Sequence, residues 1–365
     1  MAQSEDASDV TQADNGSRKV LYAFCACGLF ALFVYLLVIA EAILIPLAIA
    51  VFVVLLLDAI KAYACRLRFR GRKIISEGVG LVIAILFLLI AFVFLASMIK
   101  SNVEAVSAAV PQYVENINAK LDEILALTGM SELPSFEEMT GDFNLGRTLR
   151  SAVSTLASAT GNTMTVLFYV IFILLEQVTF RGKIRAIFTK DDDKRRALEM
   201  MDRIGRDIQY YIGLKTLVSA LTGFLSYIVM AVIGVDFAAF WAILIFILNF
   251  IPYIGSLAGV AFPAALTLVQ FTSIMPFIVT TVVLASIQLA IGNILEPRLM
   301  GRSLNLSPLV ILLSLAIFGQ IWGIVGMVLS MPFMVIALIV CAGFESTRPI
   351  AILLSSRGRI DPTPR

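Results

Sequence analysis

The chain has 365 residues, of which 59% are hydrophobic and only 15% are charged, and its formal net charge is +2. Soluble domains carry about 25% charged residues, and so small a net charge gives no reason to expect a nucleic-acid partner. No histidine is present, which excludes serine–histidine hydrolases and zinc sites built on histidine pairs. We therefore predict that the protein is not an enzyme and carries no cofactor.

Eight apolar segments are nearly free of charge. They cover residues 20–40, 42–57, 79–98, 164–175, 216–235, 237–251, 274–291 and 308–341. Several reach the roughly 20 residues that a helix needs to cross a hydrocarbon core about 30 Å thick. The sequence therefore predicts an all-α, polytopic helical membrane protein that lies in a lipid bilayer. The four cysteines form neither a disulfide framework nor a metal-ligand pattern, so no metal is predicted.

The N-terminal part is predicted to contain a tail and the first membrane helices. Residues 1–17 are small, polar and acidic, which favours a disordered tail, and residues 18–99 are predicted to hold the N-terminal transmembrane helices. The loop after the second apolar segment contains six basic residues and no acid: Lys61, Arg66, Arg68, Arg70, Arg72 and Lys73. Cytoplasmic loops retain such residues, so this loop is predicted to be cytoplasmic.

Residues 100–160 carry more acidic than basic residues and are predicted to form a small extracytoplasmic helical segment. Apolar residues recur there at three- and four-residue spacing, as in an amphipathic helix, and Pro111 lies within that pattern. A second helix is predicted to begin near Leu145. Two interpretations remain open: a spacer that packs on itself, and an oligomer contact or lid.

Residues 161–342 are predicted to form the transmembrane transport core, with a basic cytoplasmic helix at 181–208. Residues 343–365 are predicted to form a cytoplasmic tail. Both chain termini are therefore expected in the cytoplasm.

Two apolar segments of the core, 249–269 and 318–339, share paired glycines followed by a proline. The predicted breaks are at Pro252, Gly255, Gly259 and Pro263 in the first, and at Gly323, Gly326 and Pro332 in the second. Proline removes a backbone donor, glycine weakens a helix, and the freed groups must be buried in protein or line a wet cavity. The segments are therefore predicted to be broken hairpins that enter from opposite faces, which is the arrangement of a transporter binding site. Alternatively, the glycines only allow close helix packing.

The stretch IGNILEPRLMGRSLNLSP, residues 291–308, is unusually polar for this half of the chain. We predict that Glu296 is a proton- or cation-responsive carboxylate, because an ionisable group in a membrane segment usually faces a cavity or a partner. Asn293 and Gln288 are its predicted polar neighbours, at i−3 and i−8, and Arg298 is a candidate partner or substrate contact. The alternative is that Glu296 and Arg298 cap a helix at the cytoplasmic surface, with both charges in water.

Two further polar residues of the apolar half are candidates for the substrate or ion site. Lys215 lies about two turns inside the fifth predicted membrane span, where it either forms an ion pair or substrate contact or extends its amine to the cytoplasmic surface. Asn249, the polar residue that begins the first broken segment, is the other candidate.

Four stretches resemble a known family. They are YYIGLKTLVSALTG at 210–223, NFIPYIGSLAGVAFP at 249–263, NILEPRLMGRSLNLSP at 293–308 and GQIWGIVGMVLSMP at 319–332. They resemble the autoinducer-2 exporter-like transporters, also called PurR-regulated permeases of the PerM type. Many relatives carry a histidine where Ser307 stands here, so any role of that histidine does not transfer.

The resemblance implies a multi-pass protein of the bacterial inner membrane that forms a homo-oligomer, with a pentamer as the suggested number. It also implies either export of the quorum-sensing signal autoinducer-2 or exchange of sodium or lithium for protons. The leading prediction is a secondary transporter that exports a small polar solute by alternating access. The alternatives are a Na⁺/Li⁺-to-H⁺ antiporter and, from another class, a non-transporting membrane scaffold.

Overall fold

The computed structural model describes residues 24–25, 28–29, 31–66, 68–69, 72–73, 76–128, 163–300, 305–356 and 358. Its helices are α1 (Glu41–Arg66), α2 (Glu77–Thr128), α3 (Thr163–Ile187), α4 (Asp191–Ile233), α5 (Ala238–Leu248), α6 (Ile254–Gln270), α7 (Met275–Leu289), α8 (Glu296–Met300), α9 (Pro308–Gly343) and α10 (Arg348–Leu354). A π-helical segment, Ala290–Leu295, joins α7 to α8. Strands β1 (Arg68–Phe69) and β2 (Arg72–Lys73) form a short antiparallel ladder between α1 and α2.

The helix lengths confirm a polytopic helical membrane protein. Within the described ranges, four helices are long and apolar enough to cross a membrane, at 41–65, 163–187, 191–233 and 275–299, and a fifth apolar helical stretch of sufficient length, 308–343, is bent at Trp322 and Gly323. Helical residues 31–39 precede α1 and end in a turn at Ala40, next to Glu41. The predicted domain boundaries remain predictions.

Helix α2 is a single helix of 52 residues that contains Pro111. At 1.5 Å per residue it is about 78 Å long, so its apolar first part, residues 78–94, continues without interruption into the predicted extracytoplasmic segment. The helix predicted to begin near Leu145 lies outside the described residues.

The predicted cytoplasmic helix at 181–208 is not a separate element. The first residues of that range belong to the end of α3, the chain leaves the helix at 188–190, and α4 begins at Asp191. Helix α4 then continues for 43 residues to Ile233, where Gly234 caps it with a φ of 81°. Glycine adopts this left-handed conformation without steric cost, so it ends the helix cleanly.

Helices α5 and α6 form the first broken hairpin, here called hairpin 1 (residues 234–270). The Gln270 side chain closes its base, since its Oε1 accepts from the Asp236 backbone N–H at 2.9 Å and its Nε2 donates to the Gly234 carbonyl at 2.8 Å. The chain reverses at the non-helical residues 249–253, and Gly255 lies directly against the Leu248 carbonyl oxygen. The predicted break at Pro252 is therefore present.

Helix α9 is the second broken hairpin, here called hairpin 2 (residues 308–343). Trp322 and Gly323 are non-helical, and Gly323 has a φ of 60° and a ψ of −141°. The rings of Phe318 and Phe333 lie 5.3 Å apart, whereas in a straight helix these residues would be separated by about 22 Å. The two arms therefore run side by side, and Gly326 contacts the Phe318 carbonyl across them.

Four of the predicted breaks are absent. Gly259 and Pro263 lie inside the continuous helix α6, and Gly326 and Pro332 lie inside the second arm of hairpin 2. Both prolines are buried. In membrane proteins the neighbouring helices satisfy the backbone that an interior proline frees, so the helix continues.

The two hairpins begin at opposite ends of α4. Gly234 and Asp236, at the base of hairpin 1, follow the last residue of α4, whereas Gly343, at the base of hairpin 2, packs against Met200 near its start. These points are separated by about 51 Å along the helix. The two hairpins therefore start from opposite ends of α4, as the two halves of an inverted repeat would.

The described part of the segment that is predicted to be extracytoplasmic is attached to the base of hairpin 1. The Tyr113 hydroxyl donates to Asp236 Oδ2 at 2.8 Å, Asn116 Nδ2 donates to the Gln270 carbonyl at 2.8 Å, and Lys120 donates to the Leu268 carbonyl. Burial, together with the bond to the Asp236 carboxylate, raises the pKa of Tyr113. Helix α2 thus contacts the predicted transport core directly. Neither predicted interpretation, a spacer that packs on itself or an oligomer contact or lid, included this contact.

The predicted tail also has a fixed position near its start. The Ser307 N–H donates to the Leu354 carbonyl at 2.9 Å, and the Ser356 N–H donates to the Asn305 carbonyl at 3.0 Å. This pairing holds α10 beside the first residues of hairpin 2.

Candidate transport site

A buried polar stripe runs along one face of α4. Its members are Tyr211, Lys215, Ser219, Thr222 and Ser226, and all five are buried. Their spacing of three or four residues places them on the same face of a helix, over a length of about 22 Å. The stripe therefore covers most of a hydrocarbon core about 30 Å thick.

The charged member of this stripe forms an ion pair with Glu296. Lys215 Nζ lies 2.6 Å from Glu296 Oε1, and their side chains are only 6% and 18% exposed. An apolar cluster of Leu214, Val218 and Ile291 holds α4 against the π-helical segment and so brings the two charges together. A pair this well shielded from water is costly to break, because either partner alone would be a buried charge.

This geometry decides between the predicted interpretations of the two charges. Lys215 does not extend to the surface, and Glu296 does not sit with Arg298 in water. Arg298 is exposed and is not the partner of Glu296. Beside it, the Tyr210 hydroxyl donates to the Leu299 carbonyl at 2.8 Å, which ties α8 to α4.

The π-helical segment explains why a predicted neighbour of Glu296 points away from it. Asn293 was placed beside Glu296 by α-helical spacing, but its side chain is exposed. The i→i+5 turns of residues 290–295 rotate the side chains relative to an α-helix, so the i−3 relation does not hold. Single π turns inside α-helices occur frequently at functional sites.

The apex of hairpin 1 reaches the same stripe. Asn249 Nδ2 donates to Ser219 Oγ at 3.1 Å, and both residues are buried. Ser219 lies one turn after Lys215 on the same face of α4. The structure therefore brings Asn249, Ser219 and the ion pair into one region.

Gln288 is the other predicted residue that is buried, and it faces hairpin 1. A Cβ atom at Gly259 would lie 3.0 Å from Gln288 Nε2, so the glycine leaves room for the amide. Gln288 therefore packs against α6, whereas the sequence predicted it to be a polar neighbour of Glu296.

The sequence reasoning missed Tyr211, Ser219, Thr222 and Ser226. The signal that could have identified them is a row of polar residues at three- and four-residue spacing through an apolar span. Together with the ion pair and Asn249 they supply hydroxyls, one amide, one ammonium and one carboxylate, a set suited to binding a polar solute or a proton. Within the described part of the chain, no group of three or more cysteine or acidic residues is placed to hold a metal ion.

We expect Ser219→Ala to lower the free energy of unfolding by about 1–3 kcal/mol, because it leaves the buried Asn249 amide without its partner. Thr216→Val is the matched control, since the Thr216 hydroxyl bonds only to the Ile212 carbonyl of its own helix. Thermal unfolding of both variants in detergent checks the prediction. Equal melting temperatures would contradict it.

Comparison with known proteins adds a family relationship. Residues 27–344 match the model of the AI-2E family transporters. The chain is 30% identical over 323 residues to the AI-2 transport protein TqsA of Escherichia coli K12, which covers 87% of this chain and 90% of that protein. It is 36% identical over 195 residues to a transport protein of Borreliella burgdorferi, covering 53% and 54% of the two chains. It is 28% identical over 319 residues to YhhT of Escherichia coli K12, covering 86% and 88%. The last two bear the name "putative transport protein", which states no substrate.

Proposed function

We propose that this chain, which belongs to the AI-2E transporter family, exports a small polar solute by alternating access, with autoinducer-2 or a molecule like it as the substrate. Family membership makes the protein a transporter, and the multi-pass helices agree with that class. The substrate is proposed because TqsA, a relative that matches 87% of this chain, is named as an AI-2 transport protein.

The observation that carries the proposal is the buried pair of Lys215 and Glu296. Replacing a buried ion pair with apolar residues is often neutral or stabilising, so stability alone gives little reason to keep one in a membrane. A functional reason to keep the pair exists if it breaks and forms again between two conformations. We propose that Glu296 exchanges Lys215 for a proton or for a polar group of the solute during transport.

Two backbone features next to the pair support such movement. The π-helical segment at 290–295 directly precedes Glu296, and the non-helical apex of hairpin 1 holds Asn249 against α4. Elements of this kind absorb backbone change in lids and hinges, while the long helices remain rigid.

We further propose the location and assembly that the resemblance implies: the bacterial inner membrane, both termini in the cytoplasm, and a homo-oligomer such as a pentamer. The basic residues of 61–73 and of 181–206 support a cytoplasmic position for those two segments.

The test is transport by purified protein in liposomes loaded with autoinducer-2. We expect efflux that depends on the protein, saturates with concentration and is lost in Glu296→Gln. Liposomes without protein control for leakage. No efflux from protein-containing liposomes would contradict autoinducer-2 export.

A second arm of the same experiment examines the antiporter alternative. Liposomes with a trapped pH dye receive Na⁺, Li⁺ or K⁺ in place of the organic solute. Proton movement that requires one of these cations, without efflux of autoinducer-2, would reassign the protein as an antiporter.

A further inference from the structure

Three buried polar atoms have no hydrogen-bond partner among the residues that the structure describes. They are Trp241 Nε1, Thr280 Oγ1 and Gln288 Nε2. Buried polar groups almost always have a partner, so each exception needs a reason. Thr280 and Gln288 lie on α7, and Trp241 lies on α5 of hairpin 1 beside an apolar cluster that includes Leu284 of α7, so one reason could serve all three.

Two of the atoms belong to one face of α7. Thr280, Leu284 and Gln288 are four residues apart, and their exposures are 0%, 1% and 7%. This spacing aligns them over about 12 Å. Gln288 faces Gly259 of α6, where the missing side chain leaves the amide against backbone.

The third atom approaches the same place from α5. Trp241 packs against an apolar cluster that contains Leu284, and its ring lies 6.4 Å from that of Phe262 on α6. The cluster also includes Met230 and Ile245. The three polar atoms are therefore arranged around a wall of apolar side chains shared by α4, hairpin 1 and α7.

This composition is that of a small-molecule site, in which an apolar lining carries a few placed polar groups. Trp Nε1 and Gln Nε2 are donors only, and a Thr hydroxyl is both donor and acceptor. Donors suit a neutral molecule that presents hydroxyl, ether or carbonyl oxygens. They do not suit Na⁺ or Li⁺, since hard cations need oxygen ligands around them.

We propose that this interface, here called the donor seam and defined by Trp241, Thr280 and Gln288, is a solute-binding surface that opens when hairpin 1 moves away from α7. Its ligand is a small neutral molecule with several oxygen acceptors. The inference rests on the proposed transport function and adds the residues that hold the solute. A bound solute would supply acceptors for these donors, which explains why the protein itself provides none.

Cysteine labelling tests whether the seam opens, without knowledge of the substrate. Thr280→Cys and Gln288→Cys are made singly in a chain whose four native cysteines are replaced by serine. Membranes are then treated on both sides with a small sulfonated methanethiosulfonate reagent, which needs water to reach a thiol. Ser330→Cys is the matched control, because Ser330 is equally buried but lies in hairpin 2.

We expect labelling at 280 and 288 and none at 330. Absence of labelling at both seam positions, while a cysteine at the exposed position 191 reacts, would overturn the proposal. Equal labelling at 330 would also overturn it, since the opening would then be general.

Apolar replacements test whether the seam donors bind the solute. Gln288→Leu and Thr280→Val remove unpartnered donors, so we expect the melting temperature to stay the same or rise. We expect efflux of autoinducer-2 to fall about tenfold in each, which is the value of one hydrogen bond to the solute. Thr281→Val is the control, because its hydroxyl bonds to the Phe277 carbonyl of the same helix.

The two readouts separate failure of this inference from failure of the proposed function. Unchanged efflux in both apolar variants would overturn solute binding at the seam while autoinducer-2 export stood. If the wild-type protein exports no autoinducer-2, the proposed substrate is wrong, and the labelling result still decides whether the seam opens.

Discussion

Glu296→Gln is expected to abolish solute efflux and to lower the free energy of unfolding by about 3–5 kcal/mol. The substitution keeps the shape of the side chain but leaves the Lys215 ammonium, only 6% exposed, without a counter-charge. Lys215→Met alone is expected to have a similar effect, because it leaves the Glu296 carboxylate unpaired.

The double variant Lys215→Met/Glu296→Gln separates folding from function. With both charges removed, no buried charge is left uncompensated, and we expect the free energy of unfolding to return to within about 1 kcal/mol of wild type. Efflux should remain absent, because the exchanging carboxylate is gone. A double variant that transports like wild type would show that the pair serves structure alone.

Glu176→Gln is the control for both measurements. It breaks an ion pair with Lys183 whose side chains are 50% and 58% exposed. Exposed pairs contribute about 0–1 kcal/mol, so its melting temperature and its efflux should stay close to those of wild type.

Gly255→Ala and Gly326→Ala are expected to prevent correct folding, with a loss of at least about 3 kcal/mol. A Cβ atom at either position would overlap a backbone carbonyl of the opposite hairpin arm, that of Leu248 or of Phe318. Backbone cannot move aside as a flexible side chain can. The expected result is therefore a loss of folded protein from the membrane rather than a loss of transport alone.

Two other glycines calibrate this result. Gly323→Ala meets no atom within 4 Å but must adopt a φ of 60°, so we expect an intermediate loss of about 1–3 kcal/mol. Gly292→Ala meets open space at an ordinary φ and should melt no lower than wild type. The yield of monodisperse protein and its melting temperature rank the four variants. Gly255→Ala that behaves like Gly292→Ala would contradict the close contact of the arms.

The sequence predicted the large features of this fold because they depend on local chemistry. The length of an apolar run decides whether a helix crosses a bilayer, and glycine and proline weaken a helix wherever they occur. Accordingly, the run at 237–251 forms the first arm and the apex of hairpin 1, and the run at 308–341 forms hairpin 2. The prediction about Pro263 and Pro332 failed because a proline breaks a helix only where nothing around it satisfies the freed backbone.

Within the candidate site, sequence alone identified the two charged residues but not their relation. Lys215 and Glu296 are 81 positions apart, and the partner predicted from the sequence was Arg298, which is close to Glu296 along the chain. The π-helical turns that expose Asn293 carry no clear sequence signal, since their hydrogen bonds depend on how α7 packs against α4.

By itself, then, the amino-acid sequence determined the class of protein, its membrane spans, its two broken hairpins and the candidacy of Glu296, because each follows from the solvation of one segment in lipid. Only the tertiary structure decided that Lys215 is the partner of Glu296, that Asn249 joins Ser219, and that three buried polar atoms of α5 and α7 lack a partner among the described residues. Those relations depend on which helix faces which, and that choice is made by packing between segments far apart in the chain.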